Sequence, residues 1–169
     1  RSFMPLIRGQ RQTNREYMIK EYNENAGASR DPMRAVQTKR YLYIFNPWSN
    51  GQRVFATATT GTVTYRRMAA LAKSDDRLAK RLAMYKYRVP EELYDVSVDP
   101  DCLNNIIDSS ASQPVLEKLR DNLMRWMKKT DDPLLTVFER RDDAVFRESV
   151  IQKQEQESMA RRAKRKIKK

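Results

Sequence analysis

Few residues in this chain have the type and spacing for chemistry, and the single cysteine is the first to weigh. Cys102 stands in Asp101-Cys102-Leu103-Asn104-Asn105, and a thiol acts as nucleophile or metal ligand only as its thiolate. Acidic neighbours raise a thiol's pKa and no basic residue adjoins it, so a passive thiol is expected. The 169 residues include no histidine. That removes a Ser-His-Asp triad, a histidine zinc site and an imidazole acid or base from these residues. Asp99 with Asp101, and Asp131 with Asp132, have the chemistry for a hard cation, but such a site needs roughly six or more converging oxygens. They read instead as turn and helix-stop residues. Arg34, between Met33 and Ala35 in an extended pattern, could steer an anion. The preferred reading is structural, an ion pair with a carboxylate such as Glu91, Glu92 or Asp95.

The stretch that must position these groups runs from Glu91 to Ile106. Leu93, Tyr94, Val96 and Val98 favour a pleated strand over 91–98, and Asp99-Pro100-Asp101 ends it with a fixed φ and carboxylates that bond nearby amides. Asn104, Asn105 and Asp108 then hold a polar turn ahead of a helix. Upstream, residues 1–14 read as a short helical piece with Phe3, Leu6 and Ile7 inward and Gly9 at its end. Alternation around Tyr17 to Tyr22 predicts a strand, and Asn23 to Ser29 a loop. Met33–Thr38 and Tyr41–Asn46 predict two strands joined by a tight hairpin, closed by Pro47-Trp48-Ser49-Asn50-Gly51. Residues 52–64 read as an ordered surface loop. Thr64 and Ser74-Asp75-Asp76 offer caps for one or two helices.

Pro114 suits a first helical turn, and Leu116, Leu119, Leu123, Trp126 and Met127 form an apolar stripe over 114–129. The fold class implied is α+β, a four-stranded antiparallel sheet with that helix across one face. Val137, Phe138, Ala144, Val145, Phe146, Val150 and Ile151 predict a further amphipathic helix, followed by a helical or disordered basic tail. The organisation expected is a leading segment 1–14, a body 15–135, and an amphipathic helix with its tail over 136–169.

The 40% hydrophobic content supports a modest core, and no apolar run approaches the ~20 residues that cross a bilayer. With one cysteine, the redox compartment is unreadable. The start at Arg1, without a leader, reads as a C-terminal piece. Net charge is +12, of which +6 falls in residues 153–169, where eight basic residues face two acidic ones. The remaining +6 is expected to be spread over a mixed-charge body.

The letters also carry a resemblance. Glu91-Glu92-Leu93-Tyr94-Asp95, followed by Asp99-Pro100 and Asn104-Asn105, resembles a motif near the C-terminus of the sulfatase family. Ser2-Phe3-Met4-Pro5-Leu6-Ile7-Arg8-Gly9, then Asp31-Pro32-Met33-Arg34-Ala35-Val36-Gln37-Thr38 with Arg40-Tyr41 and Phe45-Asn46, resemble further family segments in the same order. So do Leu119 to Met127 and Thr130-Asp131-Asp132-Pro133. The likeness covers roughly residues 2–135 and is greatest to the sulfamidases, or heparan N-sulfatases, and similar bacterial sulfatases.

The resemblance implies the C-terminal subdomain of a hydrolase of sulfate esters or sulfamates, with Arg34, Glu92, Tyr94, Asp95, Asp99, Pro100 and Asn105 as its structural motif. It implies a formylglycine nucleophile, made from Cys or Ser in a Cys/Ser-x-Pro/Ala-x-Arg motif, and a calcium ion, both in a separate N-terminal catalytic domain. The motif is expected to be absent from this chain, which would carry no catalytic or metal residues and be inactive alone. The loop after the first strand, Asn23 to Arg30, would join the rim of the substrate pocket. Glu24, Asn25 and Arg30 would there bond sugar hydroxyls or grip a sulfate. Sulfamidases carry paired histidines about where Glu24 and Asn25 stand, so N-sulfoglucosamine specificity is not implied. Implied partners are the chain's own catalytic domain and a sulfated carbohydrate of glycosaminoglycan type, in a periplasmic, secreted or lysosomal setting. A homo-oligomer is left open and a membrane partner is not expected.

A rival reading is a nucleic-acid or polyanion binding module, resting on the +12 charge, Arg161 to Lys166 and the aromatic-rich Arg40 to Phe45. No nucleic-acid motif accompanies these features, and alternating aromatics on a strand usually pack inward.

Overall fold

The structure, a computed structural model, describes residues 4–11, 16–24, 30–55 and 57–167. Four short strands form one antiparallel sheet in sequence order: β1 (Met18–Tyr22), β2 (Met33–Gln37), β3 (Tyr41–Phe45) and β4 (Glu91–Asp95). The hairpin at Thr38-Lys39-Arg40 forms as predicted, and Thr38 Oγ1 accepts the Tyr41 amide at 2.9 Å. Register assigns the two faces. Ile19, Val36, Tyr43 and Leu93 lie in one cross-strand row. They turn toward α4 (Gln113–Thr130), whose Leu116, Leu119, Leu123 and Met127 are buried against them, so the predicted stripe is core. Helix α4 ends where Asp131 adopts a left-handed φ of 50° and Asp132 donates its amide to the Met127 carbonyl at 3.0 Å. The α+β class is as expected.

Several local expectations are corrected. Strand β4 stops at Asp95, not at 98, because the Asp95 carboxylate accepts the Ser97 amide and its carbonyl accepts those of Val98 and Asp99. That closes a turn and leaves Val98 79% exposed. The N-terminal helix α1 (Met4–Ile7) leaves Leu6 and Ile7 exposed, while Gly9 ends it at φ 71°; Phe3 lies outside the described residues. Loop 52–64 contains a 3-10 turn at Ala58–Gly61. Thr62, rather than Thr64, caps α2 (Val63–Leu71), and Asp75 caps α3 (Asp76–Lys86). The helix predicted from Val137 onward is two helices. A turn at Arg140–Asp143 separates α5 (Leu135–Glu139) from α6 (Ala144–Ile167) and leaves Val145 82% exposed. The basic end is helical through Ile167.

The core extends past residue 135. Val137 and Phe138 are buried, with Phe138 edge-on to Tyr43 and Phe45, and Phe146 and Val150 of α6 pack against the same cluster. Helices α2 and α3 differ: neither contains a buried residue, and they pack on each other as a hairpin.

Candidate functional site: the cleft between the first loop and the last helix

The turn after β1 and the entry to β2 face α6 across a cleft of about 300 Å³, lined by Asn23, Glu24, Arg30, Pro32, Pro133, Leu134 and Gln154. Of the three substrate-side residues expected from sequence, Glu24 and Arg30 meet here; Asn25 lies outside the described residues. Arg30 Nε donates to Glu24 Oε2 at 3.3 Å, and its Nη1 reaches Glu157 of α6 at 3.5 Å. Arg161, one helical turn beyond Glu157, donates to the same Glu24 oxygen at 2.9 Å. Two carboxylates and two guanidinium groups thus form a network joining loop to helix. The hydrogen bonds from Arg161 and then Arg30 hold the Glu24 carboxyl below the usual glutamate range. Sequence reasoning missed Glu157 and Arg161. Their spacing of four residues on a helix, with opposite charge, was the available signal.

Arg34 supports the cleft from beneath. It is 1% exposed and its partner is Asp132, not Glu91, Glu92 or Asp95: Nε to Oδ2 is 2.7 Å and Nη2 to Oδ1 is 3.3 Å. Its Nη1 donates to the carbonyls of Met33 and Tyr22 at 2.9 and 3.2 Å. The reason is register. Arg34 pairs with Phe45, which pairs with Glu91, so about 10 Å and an aromatic ring separate Arg34 from Glu91. The turn after α4 delivers Asp132 directly over it, and Asp132 also accepts the Leu134 amide at 2.8 Å.

Each carboxylate first considered for Arg34 has another arginine. Glu91 accepts a bidentate pair from Arg120 at 2.8 and 3.0 Å, along with the Tyr43 hydroxyl. Glu92, on the opposite sheet face, accepts from Arg88, from Asn46 at 2.9 Å and from the Tyr94 hydroxyl at 2.8 Å. Burial and the Glu92 charge push the Tyr94 phenol well above its ordinary value. Asp95 pairs with Arg40 at 2.8 Å. Asn105 Oδ1 accepts the Leu93 amide at 2.9 Å and the Ile106 amide reaches the Leu93 carbonyl at 2.9 Å, so the polar turn covers the free edge of β4. Asp99 accepts the amides of Leu103 and Asn104, beside the exposed Pro100.

Among the described residues, no three Asp, Glu, Cys or His side chains converge where a metal ion could be held. Asp99 and Asp132 are committed to amides and to Arg34 as given above. Cys102 is half-buried at φ 53°, and burial, then Asp99, raises its thiol.

One expectation fails on the letters. Ser158-Met159-Ala160-Arg161-Arg162 spells Ser-x-Ala-x-Arg, so the formylglycine pattern does occur. Its setting is a regular helix: Ser158 is 4% exposed within α6, and Arg161 of the same five residues is engaged with Glu24. A reactive aldehyde needs an open pocket and groups to hold a cation beside it; Ser158 is buried, and among the described residues no three Asp, Glu, Cys or His side chains converge to hold an ion.

No protein-family model matches the chain. Human N-sulphoglucosamine sulphohydrolase is 32% identical over 107 residues, which make up 60% of this chain and 21% of that protein. Two solved structures, a Bacteroides thetaiotaomicron protein described as a sulfatase and a 2-O GAG sulfatase, each align at 20% identity with a TM-score of 0.45. Each alignment covers 78% of this chain and 20% of the other. The chain therefore spans about a fifth of the length of these relatives. Over its 107 matched residues the chain is similar to a sulphohydrolase, in line with the resemblance carried by the Glu91 to Asp95 motif and its companion segments.

Proposed function

We propose that this chain is the C-terminal subdomain of a sulfatase that hydrolyses sulfate esters or sulfamates of a sulfated carbohydrate. The observation that carries the reading is the 107-residue similarity to human N-sulphoglucosamine sulphohydrolase. In this reading the formylglycine nucleophile and the calcium ion belong to an N-terminal catalytic domain outside these residues. The present chain supplies a rigid wall and one side of the pocket rim. Glu24, Asn25 and Arg30 are the residues proposed to meet the sugar, with Arg30 presenting donors to an oxyanion and Glu24 accepting from hydroxyls. The Glu24–Arg30–Glu157–Arg161 network supports this assignment, because it sets the Arg30 guanidinium without burying it in the core. Arg34, Glu92, Tyr94, Asp95, Asp99, Pro100 and Asn105 hold the frame behind the rim. An exported or lysosomal location follows from the same reading; among the described residues no helix is long and apolar enough to cross a membrane.

The sheet face turned away from α4 is the surface proposed for the catalytic domain. Met18, Ala35, Leu42, Ile44 and Tyr94 lie on it, with Met18 40% exposed and Leu42 and Ile44 half-buried.

The test begins with the reading frame upstream of Arg1. Finding a second Cys/Ser-x-Pro/Ala-x-Arg motif together with clustered metal-binding carboxylates, and measuring sulfate release by the longer product, would bear the reading out. A frame that begins near Arg1, or a longer product that releases no sulfate from any sulfated sugar, would end it.

A further inference from the structure

The net charge of this protein is not spread over its body. Between residues 63 and 88 there are eight Lys or Arg and two Asp, a net +6. Residues 153–169 hold another +6, and everything else balances at 18 of each sign. The first cluster is the α2–α3 hairpin together with Arg88 just beyond it, which is paired with Glu92. Arg66, Arg67, Lys73, Arg77, Lys80 and Arg81 are all exposed, and the seam between the helices is made by half-buried side chains such as Tyr65 and Tyr85, 5.8 Å apart. Among the described residues, Arg66, Arg67, Lys73, Lys80 and Arg81 have no carboxylate within 4 Å; Arg77, whose side chain is 93% exposed, has only Asp75, at 3.7 Å. Of the two acids in the hairpin, Asp75 caps α3 and Asp76 stands exposed in its first turn.

Arg77, Lys80 and Arg81 stand at i, i+3 and i+4, one face of α3, where like charges weaken a helix. Many arginines elsewhere in this fold are matched: Arg30, Arg34, Arg40, Arg53, Arg88, Arg120 and Arg161 each have a carboxylate partner. The basic end of α6 is partly spent in this way, through Arg161 on Glu24. The hairpin contributes nothing to the core, since neither helix buries a residue. It is an appended surface carrying uncompensated positive charge.

We infer that the exposed face of the α2–α3 hairpin binds a sulfated polysaccharide, holding an extended polyanion at a distance from the reacting sulfate group. The choice of polysaccharide over nucleic acid rests on the sulfatase reading above; the charge complementarity is read from the hairpin alone. Guanidinium groups spaced along one helix face grip successive oxyanions without demanding a sequence or a pocket.

The probes are heparin, fully desulfated N-acetylated heparin and a double-stranded DNA of similar length. Binding to the 169-residue chain is measured across a salt series. Two variants carry the test, Arg77→Gln/Lys80→Gln/Arg81→Gln and Arg66→Gln/Arg67→Gln, with Lys164→Gln on α6 and Lys129→Gln on α4 as controls. Circular dichroism checks that all fold. The expected result is heparin binding that weakens steeply with salt, falls about tenfold or more in the triple variant, survives in both controls and is lost on desulfation. Unchanged binding in both hairpin variants overturns the inference, as does loss confined to Lys164→Gln. Tighter hairpin-dependent binding to DNA than to heparin makes the partner a nucleic acid and overturns it too. Sulfate release by the longer gene product is scored separately. Release with no heparin retention removes this inference and leaves the enzyme reading. Retention with no release removes the enzyme reading and leaves a binding surface.

Discussion

Arg34 has its guanidinium donors occupied by Asp132 and by the carbonyls of Met33 and Tyr22, in a site from which water is excluded. Removing one side leaves the other charge buried without a partner, which costs about 3–5 kcal/mol. Arg34→Ala and Asp132→Ala are each expected to lose that much in chemical denaturation. Arg34→Met/Asp132→Leu, which removes both charges, should recover a large part of it. If the single variants unfold like the parent, the pair is not what joins the sheet to the end of α4. Ser158 tests a different statement at the same scale. A buried helical serine is expected to remain an alcohol even though its neighbours spell the formylglycine pattern. Peptide mass spectrometry of the expressed longer product should show residues 158–162 without the loss of two hydrogens that conversion to the aldehyde entails. Ser158→Ala should leave any sulfate release intact.

The last helix and the first loop are held together by charge alone at Glu24. Its folded pKa is depressed by hydrogen bonds from Arg161 and Arg30. The contribution to stability is therefore present above the ordinary glutamate value and disappears as pH falls through the lower, folded one. NMR titration of the Glu24 carboxyl is expected to place its midpoint below that of a model glutamate and to move it upward in Arg161→Ala. An unmoved midpoint would mean that the helix end does not rest on the loop in solution. Helix α6 owes its start to the turn that separates it from α5. Asp143 accepts the Phe146 amide at 2.8 Å, and that bond together with Arg140 keeps the Asp143 carboxyl low. The same turn explains why one predicted helix became two: Arg140 lies 3.8 Å over the Phe146 ring, folding the chain back onto itself where the apolar pattern alone would have continued straight.

On the scale of the whole molecule, the two faces of the sheet have unequal cover. One is sealed by α4 and α5, and the other leaves Met18 open beside half-buried Leu42 and Ile44. A catalytic domain docked on that second face should shield it. In a Cys102→Ser background, Met18→Cys is expected to react rapidly with a thiol reagent in the 169-residue chain and at least about tenfold more slowly in the longer gene product. Equal rates would place the docking surface elsewhere.

What the sequence settled by itself is what depends on near neighbours and on period. The strand pairs, the hairpin at Thr38 to Arg40, the stripe of α4 and the Asp75 cap are local in this sense, and so is the resemblance carried by contiguous motifs. What it could not settle is which charge meets which. Arg34 and Asp132 are 98 positions apart, and Glu24 and Arg161 are 137 apart. Any of 22 carboxylates was available to each arginine, and only sheet register, the end of α4 and the length of α6 decided the pairs. The charge on the hairpin shows the same division. Its residues could be counted in the sequence, but that they stand exposed on helices that bury nothing, away from compensating carboxylates, is a property of the tertiary fold.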